Sequence, residues 1–252
     1  MTKPIAVQLY TVRDALAQDW EGTLERIAQM GYIGVETAGF GYAPSREAAI
    51  DKFKALGLQV CGAHGPLLTS ENASELTDMM RALGNERIIA AGLKRDGFNS
   101  QAGIEARIAE YNAAAEIARA NGLKFGLHNH WWEFAVVDGN YAYETVIDAL
   151  DPEVFLEVDT YWVQTAGIDA ASFVAKMGER AQLLHIKDGP CTPKDDMVAV
   201  GSGKMDVPAV IAAGNSAEWL VVELDRCGTD MMTAVANSYT YLVGNGLARG
   251  NK

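Results

Sequence analysis

The chain has 252 residues, 49% of them apolar, which is enough for a large buried core and too much for a disordered protein. Its formal net charge is −12, and its 21 Lys and Arg are scattered rather than gathered in a groove, which argues against a nucleic-acid partner. Cys61, Cys191 and Cys227 stand far apart without CxxC spacing, the first residues hold no uninterrupted apolar core of signal-peptide length, and no run reaches the roughly 20 apolar residues of a membrane span; the expected setting is reducing and cytoplasmic.

Short apolar runs alternate with longer helical patterns along the whole chain. The first run is Ile5–Tyr10, followed by a helix with Leu24, Ile27 and Ala28 on one face, ended by Gly31. The second is Ile33–Thr37, then a loop over 38–44 and a helix capped by Ser45 and ended near Gly57. Leu58–Ala63 closes on His64, and Ser74 opens a helix through Leu83. Arg87–Ala91 is the fourth run, weaker for its alanines. Ile104–Asn121 is the longest helical pattern, and Lys124–His128 follows it. The remaining runs are Val154–Val158, Gln182–Lys187 and Trp219–Leu224, with helices expected over Tyr143–Leu150, Ala170–Met177, Val207–Ala213 and Thr229–Val243. Eight strand–helix units in strict alternation imply a parallel sheet with helices outside it, and eight in ~250 residues is the size of a (β/α)8 TIM barrel, here a single domain over 1–252. A doubly wound open sheet fits less well, because no glycine-rich fingerprint follows the first run. The lone Gly201-x-Gly203 reads as a turn rather than a phosphate cradle.

In such a barrel chemistry gathers where strands end. The chain has only four histidines, His64, His128, His130 and His185, and all four fall at expected strand ends. The stretch Phe125–Phe134 (FGLHNHWWEF) carries two of them with Glu133 three residues on. Alternation places His128 and His130 on one side, as it does Phe155, Glu157 and Asp159, then His185 and Lys187 with Asp188 opposite, then Val221 and Glu223. A buried carboxylate is costly unless paired or metal-bound, and Asp159, His185 and Glu223 sit on three consecutive strands. Carboxylate with imidazole and no nearby cysteine suits Mn²⁺, Mg²⁺, Co²⁺ or Zn²⁺ without choosing among them. Buried salt bridges and hydrogen-bonded core histidines are the plain alternatives for the same residues.

The segments VQLYTVRD, GVETAG, GLHNHWWEF, VDTYWVQTAG, LLHIKDG, VGSGKMD and VVELD together resemble the xylose isomerase-like TIM barrels, the sugar phosphate isomerase/epimerase group, over essentially the whole chain. The resemblance implies one divalent metal, with Mn²⁺ the first choice, held by an acidic residue after strand five, an Asp after strand six, a His on strand seven and a Glu on strand eight. Carried over, these are Glu133, Asp159, His185 and Glu223. Many members have Glu-Asn-His on strand five where this chain has His128-Asn129-His130, so either His128 takes the ligand place or Glu133 folds back to fill it, with Glu133 preferred. Trp162 stands where many members carry a substrate-touching histidine, and either stacks on a sugar face or belongs to the core.

The function this implies is a metal-dependent sugar isomerase or epimerase that abstracts a proton next to a carbonyl through a metal-stabilised enediolate. The alternative is a dehydratase or lyase on a keto-sugar, keto-inositol or 3-keto-glycoside. Glu133, Glu223 and His130 are the expected proton carriers. Glu36, His64, His128, Trp162, Lys187 and Arg226 are the expected substrate contacts. The partner is a small sugar or polyol, with a homo-oligomer allowed and neither nucleic acid nor membrane. A DNA-cutting barrel would need more histidines and a basic face, and a barrel without activity would not need the full ligand set.

Overall fold

The computed structural model describes residues 2–91 and 95–252. Eight parallel strands form a closed ring: β1 (Lys3–Gln8), β2 (Gly34–Thr37), β3 (Gln59–Gly65), β4 (Arg87–Ala90), β5 (Lys124–His128), β6 (Phe155–Asp159), β7 (Ala181–Ile186) and β8 (Trp219–Val222). Each pairs with the next in sequence, and β8 returns to β1 with Leu220 opposite Ile5, so the chain forms a (β/α)8 TIM barrel. A short strand, Ala248–Arg249, pairs with the start of β1 from outside.

The helices begin and end where local chemistry dictates. Asp19 accepts from the Gly22 amide and starts Trp20–Met30, which Gly31 ends at φ +106°. Ser45 starts Arg46–Leu56 and Ser100 starts Gln101–Ala120 in the same way. The helix expected from Ser74 begins at Ala73, after Asn72, whose side chain instead holds the preceding turn through the Thr69 amide. The last helix, expected over Thr229–Val243, runs Met231–Gly244 because Asp230 caps its start. Two short helices escaped the periodicity, Arg13–Gln18 and Thr160–Thr165, each about one and a half turns, too short to show a repeating face.

Two hydrophobic layers result. Val7, Val35, Leu127, Val158, Leu184 and Val222 face outward into the core shared with the helices. Ala6, Ile33, Cys61, Ile89, Phe155, Leu183, Trp219 and Val221 form a separate cluster inside the ring. Gly126 belongs to this tight interior, since a side chain there would run into the Phe155 ring. No helix among the described residues is long and apolar enough to cross a membrane.

Candidate functional site

Side chains two positions apart on a strand share a face, so the interior changes character within one step. Beyond Ala6, Phe155, Leu183 and Val221 come Gln8, Glu157, His185 and Glu223, and the layer is completed by Glu36, His64 and His128. Of these seven, six are buried and His64 alone is partly exposed.

His128, Asp159, His185 and Glu223 each offer one ligand atom, and the four atoms lie within 4.8 Å of one another. His185 Nδ1 is 2.7 Å from Glu223 Oε2 and 3.1 Å from His128 Nε2, and His128 Nε2 is 3.3 Å from Asp159 Oδ2. Two imidazoles and two carboxylates form a donor set that suits a borderline divalent ion. Asp159 divides its oxygens. Oδ1 accepts from the Trp162 amide and caps the helix Thr160–Thr165, while Oδ2 turns to His128 Nε2 and to Lys187. The Lys187 ammonium, also buried, lies 2.8 Å from Asp159 Oδ2, 2.7 Å from Glu223 Oε2 and 2.8 Å from Asp225 Oδ2.

On the other side of the His185 ring a second group closes in. His185 Nε2 is 2.7 Å from Glu36 Oε2 and 3.2 Å from Glu157 Oε2, and His64 Nε2 is 2.5 Å from the same Glu157 oxygen. Glu36 also accepts from Gln8 Nε2 at 2.6 Å.

The charges follow from this packing. Burial alone would push His185 and His64 down, but the surrounding carboxylates outweigh it and raise both, His185 well above the usual histidine range. His128, desolvated and beside other imidazoles, is lowered to about 3 and is therefore neutral at pH 7. Burial opposes ionisation of Asp159 and Glu223, yet the Lys187 ammonium leads the charges that hold both below the usual carboxylate range. Burial, with Glu157 alongside, raises Glu36 to about 7.

A cavity of about 330 Å³ opens over this layer, lined by Tyr10, Ala38, His64, Ala91, His128, His130, Glu223 and Asp225. The other expected site residues divide into those that reach it and those that do not. His130 lines it, stacked on Trp132 at 3.9 Å between ring centres. Glu133 is outside both four-residue groups. The 3₁₀ turn Trp132–Phe134 folds it back onto its own strand end, where Oε2 accepts from the His130 amide at 2.9 Å and Oε1 faces His130 Nδ1 at 3.1 Å. His128, rather than Glu133, stands with Asp159, His185 and Glu223 in the first group. Trp162 is 2% exposed and packs on Trp131 and Tyr161, so it presents no face to the cavity. Lys187 is tied to three carboxylates, and Arg226 is turned outward, donating to the carbonyls of Pro193, Lys194 and Asp195. Glu36 is buried behind His185 and does not line the cavity.

Three residues acquire roles that strand-end position alone did not assign. Glu157 joins His64 to His185, and its signal was already present in sharing a strand face with Asp159. Asp225 pairs with Lys187 at the rim. Asp188, pointing away from the site, accepts from the amides of Gly189, Gly201, Gly203 and Met205 and so folds the loop that contains Gly201-x-Gly203, leaving those amides no anion to cradle.

Comparison with known proteins agrees with this architecture. A family model described as xylose isomerase-like TIM barrel matches residues 24–226. Among solved structures, a sugar phosphate isomerase/epimerase from Parabacteroides distasonis superposes with a TM-score of 0.83 at 26% identity, covering 99% of this chain and 96% of that one. The IOLI protein with a bound zinc atom gives 0.71 at 14% identity, covering 97% and 99%. The probable 3-DHS dehydratase AsbF of Bacillus anthracis gives 0.74 at 12% identity, covering 95% and 98%. The latter two likenesses are of fold alone. No curated protein matches the chain in sequence. The chain belongs to the xylose isomerase-like TIM barrel family.

Proposed function

We propose that the protein is a metal-dependent sugar isomerase or epimerase, with one divalent ion held by His128 Nε2, Asp159 Oδ2, His185 Nδ1 and Glu223 Oε2. The observation that carries this reading is the convergence of those four atoms, two of whose residues, His128 and Glu223, line a cavity of about 330 Å³. When bound, such an ion supplies a Lewis acid for a carbonyl oxygen and stabilises negative charge that develops beside it. Mn²⁺, Co²⁺ and Zn²⁺ suit two imidazoles better than Mg²⁺ does.

The chain's own residues supply proton transfer. His130 faces the cavity with Glu133 against Nδ1, which fixes the ring and leaves Nε2 to take or give a proton. Glu133 thus acts through His130 rather than on substrate. His64, backed by Glu157, forms a second imidazole–carboxylate pair on the cavity wall. The proton on the carbon next to the carbonyl passes to one of these groups or to Glu223. Its return to the neighbouring carbon, with the hydroxyl proton passing from one of the two adjacent oxygens to the other, isomerises the sugar, and its return to the opposite face of the same carbon epimerises it.

The two imidazole–carboxylate pairs also favour a second reading. One pair can take the C–H proton while the other protonates a departing β-hydroxyl, which leaves as water, so the same site would serve a dehydratase or lyase on a keto-sugar or keto-glycoside.

Both readings start with loss of the same proton. The full chain loaded with Mn²⁺, Co²⁺ or Zn²⁺ is incubated in D₂O with a panel of ketoses, inososes and 3-keto-glycosides and followed by proton NMR. Ion-dependent loss of a C–H signal next to the carbonyl is expected for at least one substrate. Its retention across the panel with all three ions would contradict both readings, and an alkene or enone product would select the second.

A further inference from the structure

The end of β2 placed Glu36 among the candidate hydroxyl-binding groups, but its carboxylate has no solvent exposure and does not line the cavity. Its Oε2 lies 2.7 Å from His185 Nε2. His185 has a carboxylate 2.7 Å from each nitrogen, Glu36 at Nε2 and Glu223 at Nδ1; an ion gathered by His128, Asp159 and Glu223 would take the Nδ1 lone pair and leave the ring's one N–H on Nε2, where Glu36 accepts it. Nδ1 is the nitrogen that faces His128 and Glu223.

We propose that Glu36 is a positioning residue that orients His185 and fixes its tautomer so that Nδ1 addresses the cation, an assignment that rests on the metal reading above. Glu36 is itself held. The Tyr10 amide donates to Gln8 Oε1 at 3.1 Å, which turns the Gln8 amide group so that its nitrogen donates to Glu36 Oε2. Room for the carboxylate comes from β3, where Gly62 has no side chain. A Cβ there would lie 2.7 Å from Glu36 Oε1 and 2.7 Å from Ile89 Cδ1. Glu157 stands 3.2 Å from the same His185 nitrogen and is shared with His64.

Glu36, His64, Glu157 and His185 also have metal-ligating atoms within 4.8 Å of one another. His185 has a single lone pair to give, however, and only His64 of that group lines the cavity, whereas His128 and Glu223 both do. An ion that meets substrate therefore belongs on the Nδ1 side, and the Nε2 side supports it.

The test titrates Mn²⁺ and Zn²⁺ into metal-free wild-type chain, Glu36→Gln and Gly62→Ala, by calorimetry, with thermal melts of each. Outer partners of a ligating histidine are worth about 10–100-fold in metal affinity, and Glu36→Gln is expected to weaken binding of one ion per chain by that factor. Gly62→Ala, which displaces the carboxylate without removing its charge, should weaken it in the same direction. A purely structural Glu36 would lower the melting temperature and leave the affinity of the folded protein unmoved. Long-range ¹H–¹⁵N NMR of Zn²⁺-loaded wild type, which needs no variant, should find His185 coordinated through Nδ1 and protonated at Nε2. Unchanged affinity in both variants, or coordination through Nε2, would overturn the assignment while sparing the metal site. Two ions per chain, the second lost in Glu36→Gln, would replace the positioning role with a ligand role. A wild type that takes up no ion would remove the metal reading and this assignment together.

Discussion

The inside of the barrel holds two layers a single strand step apart, and they obey opposite rules. Ala6, Ile33, Cys61, Ile89, Phe155, Leu183, Trp219 and Val221 fill the lower one with apolar atoms. Gln8, Glu36, His128, Glu157, His185 and Glu223 fill the next, at nearly the same burial. In the lower layer any apolar side chain of the right volume gains a similar transfer free energy, so substitutions cost in proportion to the atoms removed. In the upper layer each group is tolerable only because of a particular partner, so removing one atom exposes the desolvation penalty of another. The barrel supplies rigidity from below and places above it a set of charges that would not stay together in water.

That contrast can be broken by experiment. Lys187→Met should have the largest effect on the metal-free protein, because it leaves Asp159, Glu223 and Asp225 facing one another without their ammonium. Removing one partner of a buried ion pair costs about 3–5 kcal/mol, and thermal or urea denaturation would register it. A loss below about 1 kcal/mol would mean that the upper layer is as forgiving as the lower. Ile89→Val, one methylene removed from the lower layer, should cost only about 0.5–1.5 kcal/mol and leave metal affinity unaltered. The smallest effect is a slope with pH. His64 and His185 are raised in the folded state, and Glu36 is raised to about 7. Groups with raised folded values add stability that is complete below their unfolded values and is lost as pH climbs through the folded ones. Asp159 and Glu223, shifted down, are ionised in both states across this range and add no slope, and His128, lowered to about 3, adds a smaller opposite slope that ends once the unfolded imidazole is neutral, above about pH 7. Denaturation of the metal-free chain should therefore show stability falling from pH 6 towards pH 9, and a flat or rising curve would contradict the charge assignment.

The architecture was legible because eight apolar runs, separated by helical patterns, leave few alternatives to a closed parallel ring. Strand alternation likewise gave the convergence of Asp159, His185 and Glu223, since it needs only period two and a shared axis. Depth within the barrel was not legible. Glu36 and His64 both end strands on the inner side, yet only His64 reaches the cavity, because Gly62 lets the Glu36 carboxylate settle inward. Local reversals were also hidden. Glu133 sits where a ligand was expected, but a 3₁₀ turn of three residues returns it to His130. Trp162 was drawn toward the mouth by its motif, yet a helix starting directly after β6 carries it into contact with Trp131 and Tyr161. Both outcomes depend on turns too short to leave a periodic trace.

The central claim is that His128, Asp159, His185 and Glu223 hold one cation, and the metal content of purified variants tests it most directly. Wild type and Glu133→Ala should each carry one divalent ion per chain after loading and desalting, whereas His185→Ala and Asp159→Ala should carry almost none while keeping wild-type circular dichroism. Full occupancy in His185→Ala and Asp159→Ala, or loss of the ion in Glu133→Ala alone, would contradict the site.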